Sequence, residues 1–178
     1  MSRRKYLKDY RIVETLNDRG GIQSSSEYIG QKFRFRDPAG AERMKKLLPA
    51  LCALCWLAYA AALLPHSAAG NTAYVSLPFL FTAIPLGMLS ERAAALLTRK
   101  PPLERRSADR FQNWTGGASM MAAILAGLSL AGELIMLLFA SASPEKGDAV
   151  FAAGALTILL CAAAIRRRRL RLQTEPEN

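Results

Sequence analysis

Long apolar runs separated by short polar and basic segments dominate the chain. Residues 47–65, 73–90 and 149–165 contain no charged side chain, and residues 118–140 contain one, Glu133. An α-helix crosses the hydrocarbon core of a bilayer with about 20 apolar residues, within a range of roughly 17–25. All four runs have that length. A helix buried in a soluble bundle keeps a polar face, and these runs have none. Their Ala- and Leu-rich make-up favours helix over strand, and lipid leaves no water to satisfy an open strand. The pattern predicts an all-α membrane protein with four transmembrane helices.

The first 36 residues have a different rhythm. Tyr10, Ile12, Val13 and Thr15 fall in a segment rich in β-branched and aromatic residues. Asn17, Asp18, Gly20 and Gly21 then signal a turn, and residues 22–29 read as a second strand. Residues 31–36 (QKFRFR) alternate charge with Phe33 and Phe35. The expectation is a small N-terminal β-hairpin or three-strand segment over residues 1–36. A lone hairpin is marginal in water, so this element needs a partner surface. Asp37 followed by Pro38 reads as a helix start, with Asp as N-cap and Pro in the first turn. That helix should lead into the first span.

Charge adds direction to this layout. The chain has 178 residues, 24 Lys and Arg against 14 Asp and Glu, and a formal charge of +10. Its mean hydropathy is nevertheless positive, at +0.10. The basic residues are segregated: twelve precede the first span, six lie between the second and third, and five follow the fourth. Only Lys146 falls in the two other loops. Lys and Arg in short flanking loops stay cytoplasmic, so both termini and the middle loop, residues 91–117, are expected inside. The first span then serves as an uncleaved insertion signal in the plasma membrane. The charge is a topology signal, and membrane lipids with anionic headgroups are the expected partner of the basic clusters. No nucleic-acid partner is expected.

Within the middle loop, residues 103–114 suggest a short amphipathic helix lying on the membrane, with Trp114 at headgroup depth. The fourth helix should end in the basic collar of Arg166 to Arg169, and residues 173–178 are expected to be disordered. The organisation is therefore a cytosolic segment (1–36), a four-helix transmembrane domain (37–165) and a basic tail (166–178).

The candidate functional residues are few. Glu133 is the one ionisable residue inside an apolar run, and intramembrane acids mark proton or cation pathways. It lies past the middle of its span, where it can instead snorkel or bond to Ser and Thr of a neighbour. Helix count and a single embedded acid are shared with the small four-helix multidrug/proton antiporters. Their acid, however, lies in the first span, and they lack a β segment. Phe33, Arg34, Phe35, Arg36 and Trp114 are candidates for lipid or partner contact. Ala123, Gly127 and Ala131 form a four-residue-spaced stripe that lets helix backbones approach, and Ala149, Ala153 and Thr157 form another. Pro78 and Pro85 should kink the second span. Cys52 and Cys55 form a CxxC, read as buried thiols and not as a metal or redox site. No nucleotide-binding loop, zincin motif or triad is visible, so neither enzyme activity nor a cofactor is expected. The sequence favours an accessory or scaffold subunit that contacts a partner through its hairpin. The alternative is a small oligomeric transporter or channel that uses Glu133.

Overall fold

The computed structural model describes residues 8–16, 22–64, 72–98, 103–139, 146–172 and 174–176. Strands β1 (Tyr10–Leu16), β2 (Ile22–Tyr28) and β3 (Lys32–Phe35) come first, followed by helix α1 (Pro38–Leu63). Helices α2 (Ala73–Phe81) and α3 (Ala83–Thr98), strand β4 (Leu103–Glu104), helices α4 (Arg105–Phe139) and α5 (Lys146–Arg171), and strand β5 (Thr174–Pro176) complete the order.

Four helical units are long and apolar enough to cross a membrane, α2 and α3 together counting as one. Only 28–44% of each apolar window is buried within the protein. Large side chains such as Leu57, Phe81, Ile124, Leu138 and Leu160 point outward instead. Water would penalise that much exposed apolar surface, whereas lipid does not. The protein is a multi-pass membrane helix bundle.

Local chemistry sets the helix boundaries. The Asp37 carboxylate accepts the Gly40 N–H at 2.9 Å, and Pro38 opens α1 in the first turn. The second span breaks at Thr82, one turn after Pro78. Thr82 donates its amide to the carbonyls of Pro78 (3.2 Å) and Phe79 (3.0 Å) and its hydroxyl to Pro78 (3.0 Å). Pro85 has no N–H to return to the preceding turn, and the interruption at Thr82 lies between Pro78 and Pro85.

The core is built around α5, which packs against both α1 and α4. Met44, Leu48 and Cys55 of α1, Ala122 and Ala126 of α4, and Ile158, Ala162 and Ile165 of α5 are buried. Aromatic rings bind α1, α2 and α5 together. Tyr59 stacks on Phe79 at 5.0 Å, Phe79 tilts against Phe151 at 4.6 Å, and the Tyr59 hydroxyl donates to the Leu80 carbonyl at 3.3 Å.

The β residues form two sheets. β1 and β2 make the expected antiparallel hairpin, in register from Tyr10↔Tyr28 to Leu16↔Ile22. β3 does not extend that hairpin. It is the centre of a second sheet of order β4-β3-β5, with Phe33 opposite both Leu103 and Pro176. Two expectations are corrected here. Residues 103–114 are not a separate surface helix: Leu103–Glu104 pairs with β3, and α4 runs from Arg105 straight through Gly116 and Gly117. The apolar side of that stretch meets protein, with Ala108 and Phe111 buried and Phe111 set edge-on to Phe35 at 5.8 Å. The tail is ordered at Thr174–Pro176, held by the β3 ladder and by a Gln112 Nε2–Thr174 Oγ1 bond of 3.0 Å. At 35 residues, α4 is about 52 Å long by a 1.5 Å rise, against a hydrocarbon core of about 30 Å. Its excess lies beside the sheet.

Candidate functional site: a buried acid pair and a clamped hairpin

Alternate helices run antiparallel, so the bundle has a strand end, carrying β3–β5, and an opposite end. Glu133 lies on α4 near the opposite end, six residues before Phe139. By helix rise that places it about 9 Å inside. Gly132 beside it faces α2: a Cβ there would sit 3.1 Å from Val75 Cγ2 and 3.3 Å from Tyr74 Cδ2. The Glu133 side chain turns into the bundle and is fully buried, at 0% exposure. The expectation that it would snorkel or bond to a neighbouring hydroxyl is not met, because neither carboxylate oxygen has a hydrogen-bond partner.

Sequence reasoning missed the residue that gives Glu133 its setting. Asp148 is in the first turn of α5, buried to 2%, and is the acid that acts electrostatically on Glu133. A carboxylate there suits the positive end of the helix dipole. The sequence places Asp148 at the edge of a loop, and only the pairing of α4 with α5 brings it inside. Ser129, one turn deeper on α4, is also buried, with its hydroxyl donating to the Leu125 carbonyl at 3.0 Å. Among the described residues, no three His, Cys, Asp or Glu side chains gather in a way that could hold a metal ion.

The strand end carries the other candidates. Phe33 and Phe35 are half-buried in the second sheet, while Arg34 and Arg36 point to solvent. Arg36 Nε lies 3.3 Å from the Glu175 carboxylate, so this stretch belongs to a strand ladder. Trp114 is 41% exposed, and the Arg92 guanidinium sits 5.6 Å from its ring centroid. Arg92 itself is mostly buried, and its terminal nitrogen pairs with Glu91 at 2.5 Å. Among the described residues, the hairpin is clamped at its base. Tyr10 donates to the Glu104 carboxylate at 2.7 Å, the Arg105 amide donates to the Tyr28 hydroxyl at 3.0 Å, and the two tyrosine rings meet edge-on at 5.2 Å. Beyond that clamp, Ile12 is 73% exposed.

The small-residue stripes are only partly where the sequence puts them. Ala123 and Gly127 are half-buried, and a Cβ on Gly127 would meet Leu159 of α5 at 3.9 Å. Ala131, Ala149 and Ala153 are exposed, and Thr157 is half-buried with its hydroxyl returned to the Ala153 carbonyl at 2.7 Å. The face of α5 that packs is one residue further round, through Phe151, Ala155, Ile158 and Ala162, with Gly154 in close approach to α1. Cys52, Cys55 and Cys161 are free, buried thiols. Compared with protein-family models, with curated proteins and with solved structures, the chain has no significant match.

Proposed function

We propose that the protein is an accessory or scaffold subunit of the plasma (cytoplasmic) membrane, with both termini and the middle loop in the cytoplasm, and that its N-terminal hairpin docks a partner protein. The basic residues at the strand end support this orientation, and there they also meet anionic headgroups. The observation that carries the docking reading is the hairpin itself. It is seven residue pairs long, is clamped at its base, and pairs with no third strand among the described residues. A two-stranded ribbon with exposed faces is marginal in water. Its open edges present unpaired N–H and C=O groups that accept an added strand, and Ile12 offers an apolar contact beside them. No catalytic step is part of this reading.

Two experiments test it. Single cysteines introduced at Ser67 and Ser143 should label in intact cells, and one at Ser25 only after permeabilisation; the reverse pattern rejects the orientation. A photo-crosslinking residue at Ile12 should give one discrete adduct above the monomer. That adduct should disappear when Arg11 or Val13 is replaced by proline, which breaks strand pairing. A diffuse smear or no adduct rejects hairpin docking. A second reading, a small oligomeric transporter or channel, is favoured by the burial of Glu133. Under that reading Glu133→Gln abolishes the cellular phenotype and removal of residues 1–29 does not; under the docking reading the outcome is reversed.

A further inference from the structure

A cleft of about 180 Å³ lies at the strand end, where the first turns of α1 meet the last turn of α5. Asp37, Arg43, Met44, Leu47, Arg168 and Leu172 line it. One water needs only about 10–15 Å³ of such space, so there is room for a larger polar group. Met44 and Leu172 are themselves buried and give the cleft an apolar side. A Cβ on Gly40 would lie 3.3 Å from Leu172 Cδ2, so the chain leaving α5 packs directly against the start of α1.

Arg43 and Arg168 come from different helices and are both exposed. Neither is in an ion pair among the described residues. The one acid in the lining, Asp37, already accepts the Gly40 amide at 2.9 Å as the cap of α1. Two guanidinium groups against one carboxylate leave the lining with a net charge of +1. Guanidinium groups match phosphate oxygens with paired N–H donors.

Depth in the membrane points to the source of that phosphate. Leu47 opens the first uncharged run, and Arg168 is three residues past the end of the last one, residues 149–165. The cleft is therefore at the boundary between hydrocarbon and headgroups. On its other side, Arg168 borders an open trough of about 490 Å³ shared with Ala163, Ala164 and Arg167. Both alanines are exposed, and they follow the larger Leu156 and Leu160 on the same face of α5. A soluble phosphate has no use for such a trough, whereas an acyl chain fills it.

We propose that the cleft holds the headgroup of one anionic glycerophospholipid, with Arg43 and Arg168 on its phosphodiester and an acyl chain along Ala163 and Ala164. A phosphodiester with an uncharged polyol carries the single negative charge that a lining of +1 matches, and the polyol hydroxyls have Asp37 as acceptor. The site goes beyond the docking reading. It rests only on the strand end lying at a membrane surface, in either leaflet.

The test uses the purified full-length protein, delipidated in neutral detergent and titrated with phosphatidylglycerol or phosphatidylcholine. Native mass spectrometry counts the retained lipid, and tryptophan fluorescence follows thermal unfolding. One phosphatidylglycerol should be retained per chain and should raise Tm saturably, by about 3–6 °C at ten times the apparent Kd. Phosphatidylcholine, whose phosphate carries its own cation, should bind more weakly. Arg43→Gln and Arg168→Gln should each weaken phosphatidylglycerol by about tenfold or more, while Lys46→Gln, an exposed charge outside the cleft, should leave it unchanged. Ala164→Leu fills the trough without changing charge, so it should weaken the lipid and give a second reading independent of the arginines. These side chains are exposed, so every variant should unfold at the wild-type temperature before lipid is added. An equal loss in Lys46→Gln reduces the effect to surface charge and overturns the proposal. So does the same Tm rise from glycerol phosphate alone, which makes the occupant a soluble phosphate, and so does a wild-type protein that retains no lipid. Failure of the hairpin crosslink changes none of these outcomes, so the two readings fall separately.

Discussion

Gly154 offers the sharpest test of the helix packing. A Cβ built there would lie 2.7 Å from the Ala62 Cβ and 2.9 Å from the Ala58 carbonyl oxygen. Carbon atoms are at their optimum about 3.5–4.0 Å apart, so Gly154→Ala must push α1 and α5 apart by roughly 0.8 Å or more. A gap of about 0.5–1 Å forfeits a quarter to a half of each dispersion contact along the separated seam. Overpacking of this kind costs about 1–3 kcal/mol. Replacing a helical glycine by alanine returns up to about 1 kcal/mol. The net expectation is a loss of about 1 kcal/mol for Gly154→Ala. Gly154→Leu, which drives more carbon into the same backbone, should lose about 3 kcal/mol. The matched control is Gly117→Ala. It is also inside a long helix, but its Cβ would meet nothing within 4 Å, so that variant should gain up to about 1 kcal/mol. Reversible unfolding in mixed micelles, titrated with SDS and read through Trp56 and Trp114 fluorescence, measures all three. If Gly154→Ala proves as stable as Gly117→Ala, the close approach of α1 and α5 is wrong.

Four further outcomes can be checked. Tyr59→Phe removes the bond to Leu80 but keeps the ring stack, and should cost about 0.5–1.5 kcal/mol. Phe79→Ala opens the centre of the aromatic cluster and should cost about 3–5 kcal/mol in the same titration; equal losses would contradict the stack. The three cysteines should resist a maleimide in the folded protein and all react after unfolding, as counted by mass spectrometry; labelling of Cys55 in the folded state would refute its burial. Removing residues 173–178 uncovers one edge of β3, so trypsin should cut faster after Arg34 and Arg36. An unchanged rate would refute the β3–β5 pairing.

The spans were legible in the sequence because lipid is a strict solvent, and a helix facing it must be apolar around its circumference. The hairpin was legible because its turn and its β-branched run are local. The second sheet was not. β4 and β5 are two and three residues long, too short to carry a period, and only pairing with β3 makes them strands. Gly116 and Gly117 lie inside α4, where a glycine pair weakens the helix without ending it. The Ala149, Ala153 and Thr157 spacing was real, yet alanine is equally at home facing lipid, so spacing alone could not choose the buried face. Glu133 stood out as a charge in an apolar run. Asp148 had no such contrast, since an acid at a helix start is ordinary.

The second sheet also makes the four spans mechanically unequal. β3 leads into α1, β4 into α4, and β5 follows α5 by a short link, so one ladder ties together the strand ends of three spans. Displacing any of those helices along its axis must shear main-chain hydrogen bonds. The second span is outside that bracing. It contributes no strand of its own, and its α-helical run is interrupted at Thr82, between Pro78 and Pro85. What holds it are side-chain contacts such as Trp56 Nε1 to Ser90 Oγ at 2.9 Å and the Arg92–Trp114 pair. The fold thus resembles a three-legged frame with one jointed member. Its first segment, α2, is the one that meets Gly132, next to Glu133.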